Sequence, residues 1–347
     1  MLKNRKSPFI SRAIAPCSAA LSLLLLAACG SGVAGGTESR FDPVTAAVPS
    51  AGATTAKAEP VYPLTVVADG REVTIPAKPM RIAALSLDAA EAVLELTGPE
   101  RVSVIAKSAA DPALAFQADK AARIRNQVTS ATSLDPEQIL SYNTDLLVLT
   151  KGHDKEKEAD AVLRQAGIPM MSLDVWSTFD KMWSNFAALG KAVGEEEKAG
   201  AIVDDMKSAL ARTEKAVAGE PKPSVLVISP VGPGTGPYLI GSTNISSDIV
   251  EKAGGASMAV PMGVSRSVKA SMEQIVKADP EYIVLLQWKE GDNTDVEAVT
   301  QLAGWSALQA VRQDRVKIWP VKRMLYPNRH NAETVEQLAK WLHPGKF

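Results

Sequence analysis

Cysteine is nearly absent: the 347 residues contain two, Cys17 and Cys29. Cys17 lies inside an N-terminal leader-like segment, so removal of that segment leaves one thiol, no disulfide, and no thiol cluster for metal binding or redox chemistry. Histidine is as scarce. His153, His330 and His343 do not cluster in sequence, whereas a bare transition-metal site needs several converging ligands. A dedicated metal site is therefore not expected, although one His or Tyr could still serve as an axial ligand to an already chelated iron. Enzyme signatures are missing too. The chain has no Gly-x-Ser-x-Gly elbow, no Walker loop and no His-Glu-x-x-His. The glycine-rich run Pro230–Pro237 follows a strand-like segment, but it lacks a Lys-Ser/Thr ending. Its prolines also remove N–H donors that a phosphate would need, so it reads as a rigid loop. Excess positive charge is lacking: the net charge is −1, and setting aside Lys3, Arg5, Lys6 and Arg12 leaves −5 for the rest. Nothing points to nucleic acid.

The first thing present is a targeting signal. Basic residues from Lys3 to Arg12 lead into the apolar run Ala19–Ala28, too short for a membrane span of about 20 residues but suited to a signal-peptide core. Leu26-Ala-Ala-Cys29 matches a lipobox, in which Cys29 is acylated and becomes the new N-terminus. Residues 1–28 are thus expected to be a lipoprotein signal peptide. Residues 29–60, rich in Gly, Ala, Ser, Thr and Pro, cannot bury enough apolar surface to offset ordering entropy and read as a flexible tether.

From Val61 onward strands and helices alternate. Leu64–Val67 and Glu72–Ile75 flank Asp69-Gly70, a β-hairpin signal. Arg81–Ser86 is a short, continuously apolar run, as in a strand buried on both faces. Asp88 is placed as the cap of the following helix, and Asp135-Pro136 opens another. Strands are expected at Val102–Ile105, Leu146–Leu149 and Pro169–Leu173. The pattern restarts at Ser224–Ile228 and continues through a helix capped by Ser247 or Asp248. A further helix at Met272–Ala278 and strands at Tyr282–Leu286 and Val316–Trp319 follow, before a closing helix from Glu333 to Leu342. Such alternation predicts α/β lobes with parallel sheets.

Between the halves, Thr178–Ala218 lacks proline. Its second part, Glu195–Ala218, places Ile202, Val203, Met206, Leu210, Thr213 and Val217 on one face, a helix roughly 36 Å long. Gly194 is expected to divide this stretch into a shorter lobe helix and a spine. The boundaries read as an N-terminal α/β lobe at 61–176, a helical linker at 177–219 with its spine at 195–218, and a C-terminal α/β lobe at 220–347. Across the spine the sequence echoes itself: Glu137-Gln-Ile-Leu140 leading to Asp145-Leu-Leu-Val-Leu aligns without gaps on Glu273-Gln-Ile-Val276 leading to Glu281-Tyr-Ile-Val-Leu. Shared packing explains the apolar matches. The repeated Glu either favours a helix dipole by roughly 0.3–1 kcal/mol or forms a matched pair presented to a partner.

Ligands of open α/β sheets bind beyond the carboxyl ends of strands. Aromatic and cationic residues there are the binding candidates: Lys107, Trp176, Tyr238, Trp288, Tyr326, Arg329 and His330, with Tyr326 to His330 the densest group.

Further motifs are Arg81–Ser86 with Glu91, Glu137-Gln-Ile-Leu, Ala166-Gly-Ile-Pro169, Leu189–Glu197, Ala253-Gly-Gly255, Glu273-Gln-Ile-Val, Asp314-Arg-Val316 and Leu338–Pro344. In their order and spacing the chain resembles, from Val61 to the C-terminus, the class III periplasmic substrate-binding proteins of ABC importers. Ser86-Leu87 and Asn143-Thr144-Asp145 replace the family's frequent Ser-Pro and Lys-Pro-Asp. The resemblance implies two Rossmann-like lobes joined by one long helix and a monomer tethered to a bacterial membrane on its extracytoplasmic side. It implies no catalysis and no permanently bound cofactor. The ligand would be an iron chelate: a ferric siderophore first, haem second, cobalamin third. Glu137 and Glu273 would dock on the dimeric ABC permease, and a single helical link implies small lobe motion. A metal-ion-binding or chelatase-like enzyme on a related two-lobed fold and a ligand-free envelope adaptor are the alternatives.

Overall fold

The computed structural model describes residues 60–129, 135–152, 154–232 and 236–347. Lys57–Phe347 forms one compact unit. The expected signal peptide, Cys29, the expected tether up to residue 59, His153 and the middle of the 230–237 loop lie outside the described residues.

The chain opens with β1 (Leu64–Ala68) and β2 (Arg71–Ile75), an antiparallel pair in register Leu64 with Ile75 through Ala68 with Arg71. Asp69 and Gly70 both take positive φ, 48° and 68°, as a two-residue turn matched to strand twist requires. A βα series follows: β3 (Ile82–Ala84), α1 (Leu87–Thr97), β4 (Val102–Ala106), α2 (Ala118–Ala121), β5 (Gln127–Val128), α3 (Pro136–Ser141), β6 (Leu146–Thr150), α4 (Asp154–Leu163) and β7 (Met170–Leu173). Two helices, α5 (Phe179–Val193) and α6 (Glu196–Ala216), lead into the second series. That series comprises β8 (Ser224–Ser229), β9 (Tyr238–Leu239), α7 (Ile245–Lys252), β10 (Ala256–Ser257), β11 (Val268–Lys269), α8 (Met272–Ala278) and β12 (Tyr282–Gln287). It ends with α9 (Thr294–Thr300), α10 (Gln309–Arg312), β13 (Val316–Pro320), α11 (Val321–Met324) and α12 (Asn331–Leu342).

The first sheet runs β5-β4-β3-β6-β7 and is wholly parallel. From β3 the chain winds outward through β4 and β5, then returns to β6 on the other side. This reversal places a topological switch point between β3 and β6, where loops diverge and leave a crevice. The second sheet, β11-β9-β8-β12-β13 with β10 beside β8, departs from the all-parallel expectation: β9 runs antiparallel to β8 and β11 antiparallel to β9. The physical reason is connection length. The loop from Ser229 to Tyr238 is too short for a crossover, which takes a dozen or more residues, so β9 can only double back. The β8, β12 and β13 strands remain parallel.

Gly194 divides the two central helices, at φ 71° with its N–H donating to Lys191 O. Arg101 locks this junction: its buried guanidinium donates to Val193 O at 2.6 Å and Pro79 O at 2.6 Å and pairs with Glu195 at 2.9 Å. On α6, Ile202, Val203, Met206 and Leu210 are buried, each contributing about 1.5–3 kcal/mol. The helix lies along α5 on one side and α12 on the other. One contiguous core therefore runs from Val66 through the spine to Leu342, flanked by a smaller core in each lobe. A charged residue also crosses between the halves: Asp248 on α7 accepts the Phe179 N–H at the start of α5 at 2.7 Å. That duty replaces the capping role expected of Asp248; Asn244 caps α7 instead, accepting from Ser246 N–H at 3.0 Å.

Candidate functional site

The crevice is built from α1 outward. Ser86, rather than Asp88, occupies the cap position of α1, and the Ser86 hydroxyl donates to Asp88 Oδ1 at 2.6 Å. The same hydroxyl accepts Thr150 N–H at 3.2 Å, so the carboxyl ends of β3 and β6 are tied together at the switch point. Asp88, Glu91 and Glu95 recur at steps of three and four on a helix whose other residues are mostly Ala, Val and Leu. That spacing puts three carboxyl groups on one side of α1.

Each acid has a separate task. Burial raises the Asp88 pKa, opposed by the Ser86 hydroxyl and the Ala89 N–H. Glu91 is buried and accepts Gln117 N–H at 2.7 Å and Phe116 N–H at 3.1 Å. Burial pushes its pKa up against the pull of those two donors. It thereby fixes the loop that presents Phe116. Glu95 accepts from the Gln117 side chain and from Arg329 Nη1, the latter at 3.0 Å.

From the other half comes the segment Leu325 to His330. Buried Asn328 and Asn331 hold its shape: Asn328 Nδ2 donates to Lys322 O and Tyr326 O, and Asn331 Nδ2 donates to Arg323 O. His330 N–H in turn donates to Asn328 Oδ1 at 2.9 Å. So held, His330 stacks on Phe116 with ring centroids 4.2 Å apart. Lys322 donates to Pro112 O at 2.8 Å. Together with Arg329–Glu95, these contacts close one edge of the crevice and leave a space of about 10 Å³, the size of one water.

The crevice opens beside this closed edge. A cavity of about 370 Å³ is lined from the first half by Ser86, Asp88, Thr150 and Trp176, and from the second by Thr243, Asn244, Ser267 and Tyr326. This volume lies within the roughly 300–1,000 Å³ range of small-molecule sites. Trp176 is almost fully buried; its indole N–H donates to Thr150 Oγ1 at 3.0 Å, and its ring meets Phe186 edge-on. Tyr326 has its pKa pushed up to about 12 by burial, with the Asp111 charge adding to the effect. It therefore remains a neutral hydrogen-bonding phenol at ordinary pH.

The sequence candidates separate accordingly. Trp176 and Tyr326 line the larger cavity, while Arg329 and His330 line the small space beside it. Trp288 stands behind Tyr326, edge-on at 6.3 Å, with its N–H on Ser229 Oγ at 2.8 Å. Lys107 is exposed at the start of a short 3-10 turn after β4, and Tyr238 lies in β9; neither lines either space. Asp88, Glu91, Glu95, Phe116 and Asn244 were not anticipated as site residues. The three acids carried a readable signal, helical spacing on an otherwise apolar helix, but Phe116 and Asn244 had none beyond loop position.

Glu137 and Glu273 both sit exposed in the first turn of a helix, α3 and α8. Capping is done by others: Asp135 accepts from Glu137 N–H and Gln138 N–H, and Ser271 forms a reciprocal capping box with Gln274. Neither glutamate forms an ion pair with a described residue. A shallow groove of about 640 Å³ runs past Glu273, lined also by Lys269, Gln274 and Lys277. Among the described residues no helix is long and apolar enough to cross a membrane.

Two α/β lobes, a helical spine and a crevice at the strand ends define a bilobal binding protein. The chain belongs to the periplasmic binding protein family, whose model matches residues 82–322. It is 25% identical over 293 residues to YvrC of Bacillus subtilis, an uncharacterized ABC transporter substrate-binding lipoprotein; the match covers 83% of this chain and 88% of that one. Among solved structures it is similar to an ABC-type Fe3+-hydroxamate transport system protein of Saccharomonospora viridis. That match has a TM-score of 0.66 and 22% identity and covers 82% of this chain and all of the other. The apo periplasmic heme-binding protein RhuT of Roseiflexus gives a TM-score of 0.65 at 20% identity, over 77% of this chain and 99% of that one.

Proposed function

We propose that this chain is an extracytoplasmic solute-binding lipoprotein that captures an iron chelate between its lobes and delivers it to an ABC permease. The observation that carries the reading is the 370 Å³ cavity at the switch point, shared by residues of both lobes, in a chain of the periplasmic binding protein family. The names of its relatives, an ABC transporter substrate-binding lipoprotein, an Fe3+-hydroxamate transport protein and a heme-binding protein, support the chelate class.

In this reading lobes 61–176 and 220–347 flank the linker 177–219. Trp176 and Tyr326 contact the ligand, Trp288 backs Tyr326, and Arg329 and His330 close the rear wall. The work is binding and docking, without covalent chemistry. Cys29 carries the lipid, residues 30–60 give reach from the membrane, and the monomer presents Glu137 and Glu273 to basic residues of an iron-chelate or cobalamin type permease. The spine sets the distance between these glutamates, and its continuous packing favours small lobe motion on binding.

The test is growth of a deletion strain on single iron sources. Loss of growth on one ferric siderophore or on haem, restored by the intact gene, is the expected result. Unimpaired use of every siderophore tried, of haem and of cobalamin overturns the reading.

A further inference from the structure

The charge lining the cavity is one-sided. Of its described lining residues only Asp88 is charged; the rest offer hydroxyls, one amide, backbone and apolar or aromatic surface. Three cations of the surrounding fold are committed elsewhere. Arg329 pairs with Glu95 at 3.0 Å and Asp205 at 3.7 Å, Lys151 pairs with Asp69, and Lys322 donates to Pro112 O. Arg266, next to Ser267 in the chain, is exposed and does not line the cavity. A second acid of the first lobe adds to this sign, since the charge of Asp111 reinforces the effect of burial at Tyr326.

An anionic group entering this space would shed its water against a carboxylate, with no cation in the cavity lining to receive it. A cationic group would gain a partner in Asp88 and supply the counter-charge that burial denies that carboxyl. A neutral chelate with amide or hydroxamate oxygens would meet the hydroxyls of Thr150, Thr243, Ser267 and Tyr326 and the amide of Asn244.

We infer that the cavity selects for uncharged or cationic chelates and against anionic ones, with Asp88 as the residue that sets the preference. The inference rests on the reading of the cleft as a chelate site and adds its charge class. It separates two chemistries that size alone does not: hydroxamate-type chelates on one side, and tris-catecholates or carboxylate-bearing macrocycles on the other.

The experiment titrates the full-length protein, by tryptophan fluorescence, with one ferric trihydroxamate core in three charge states. Ferrioxamine B carries a pendant ammonium, its N-acetyl derivative is neutral, and its N-succinyl derivative is anionic. Affinity should fall in that order, by about ten-fold at each step for a charge held near Asp88 in a partly screened site. Asp88→Asn keeps the shape and can still accept from Ser86. In this variant the ammonium and acetyl forms should converge to within about two-fold, with the acetyl form bound as in the parent protein. Equal or tighter binding of the succinyl form, or an unchanged order in Asp88→Asn, overturns the inference and leaves the chelate reading standing. Binding of a ferric tris-catecholate or of haem with none of the three hydroxamates does the same. If none of these probes binds, the chelate reading itself falls and the inference falls with it.

Discussion

Arg329 reaches from the segment before α12 to Glu95 on α1, and more distantly to Asp205 on α6, so one guanidinium braces both lobes and the spine. Replacing it by Gln removes the charge and keeps most of the volume. The Glu95 contact is 3.0 Å, with Glu95 16% and Arg329 35% exposed. Exposed pairs contribute roughly 0.2–1 kcal/mol, and breaking a buried pair costs roughly 3–5 kcal/mol. With Arg329 about a third in solvent, the expected loss is discounted to about 1–2 kcal/mol. The Asp205 contact, at 3.7 Å with Asp205 74% exposed, adds little. Urea unfolding of Arg329→Gln, Glu95→Gln and the double variant isolates the pair. A coupling energy of about 1 kcal/mol is expected, shrinking as salt is added. Coupling below about 0.3 kcal/mol, or coupling insensitive to salt, would refute the view that Arg329 is committed to joining the lobes.

Three further outcomes follow from other parts of the structure. Gly190 faces α6 so closely that a Cβ there would overlap the Ala199 Cβ and come within 3.1 Å of Glu195 O; Gly190→Ala should cost roughly 1–3 kcal/mol in urea unfolding, and a neutral result would contradict the packing of α5 on α6. Burial raises the Asp160 pKa, but the Arg164 guanidinium and the Ser172 hydroxyl more than offset this and hold it below the ordinary range. Its pairing therefore stabilises fully above the unfolded carboxyl value of about 4 and is lost as pH falls through the lower folded value. Asp160→Asn should lower stability at neutral pH by about 1–2 kcal/mol and flatten the acid limb; an unchanged limb would refute the assignment. Charge reversal at Glu137 and Glu273 together should abolish uptake and leave chelate affinity within about two-fold, whereas lost affinity would move these residues into the binding site or core.

Much of the scaffold was legible because it depends on local signals. The Asp69-Gly70 turn, the Asp135-Pro136 helix start and the Gly194 break each rest on a residue whose backbone preference determines the outcome. The spine was readable from one apolar face, which the structure buries against two helices from different lobes. Legibility failed where chain direction was set by loop length rather than composition: β9 reads as a strand, but nothing in its own residues says that it runs antiparallel. Caps were misjudged where a side chain had a stronger distant partner, as with Asp248 reaching Phe179 N–H instead of its own helix. At the candidate site, the aromatic and cationic residues expected after strands include Trp176 and Tyr326, which line the cavity, and Arg329 and His330 beside it, but not the acids of α1 opposite them. Glu91 and Glu95 acquire their roles only when Phe116, Gln117 and Arg329 arrive from elsewhere in the chain.

The central claim is that a chelate binds between the lobes, next to Trp176 and in front of Trp288. Its most direct test is titration of the full-length protein, and of its Trp176→Phe and Trp288→Phe variants, with ferric siderophores, haem and cobalamin, following tryptophan emission. Saturable quenching at one ligand per chain is predicted for at least one chelate, with a smaller amplitude in each variant. Emission unchanged by every one of these ligands would contradict the account.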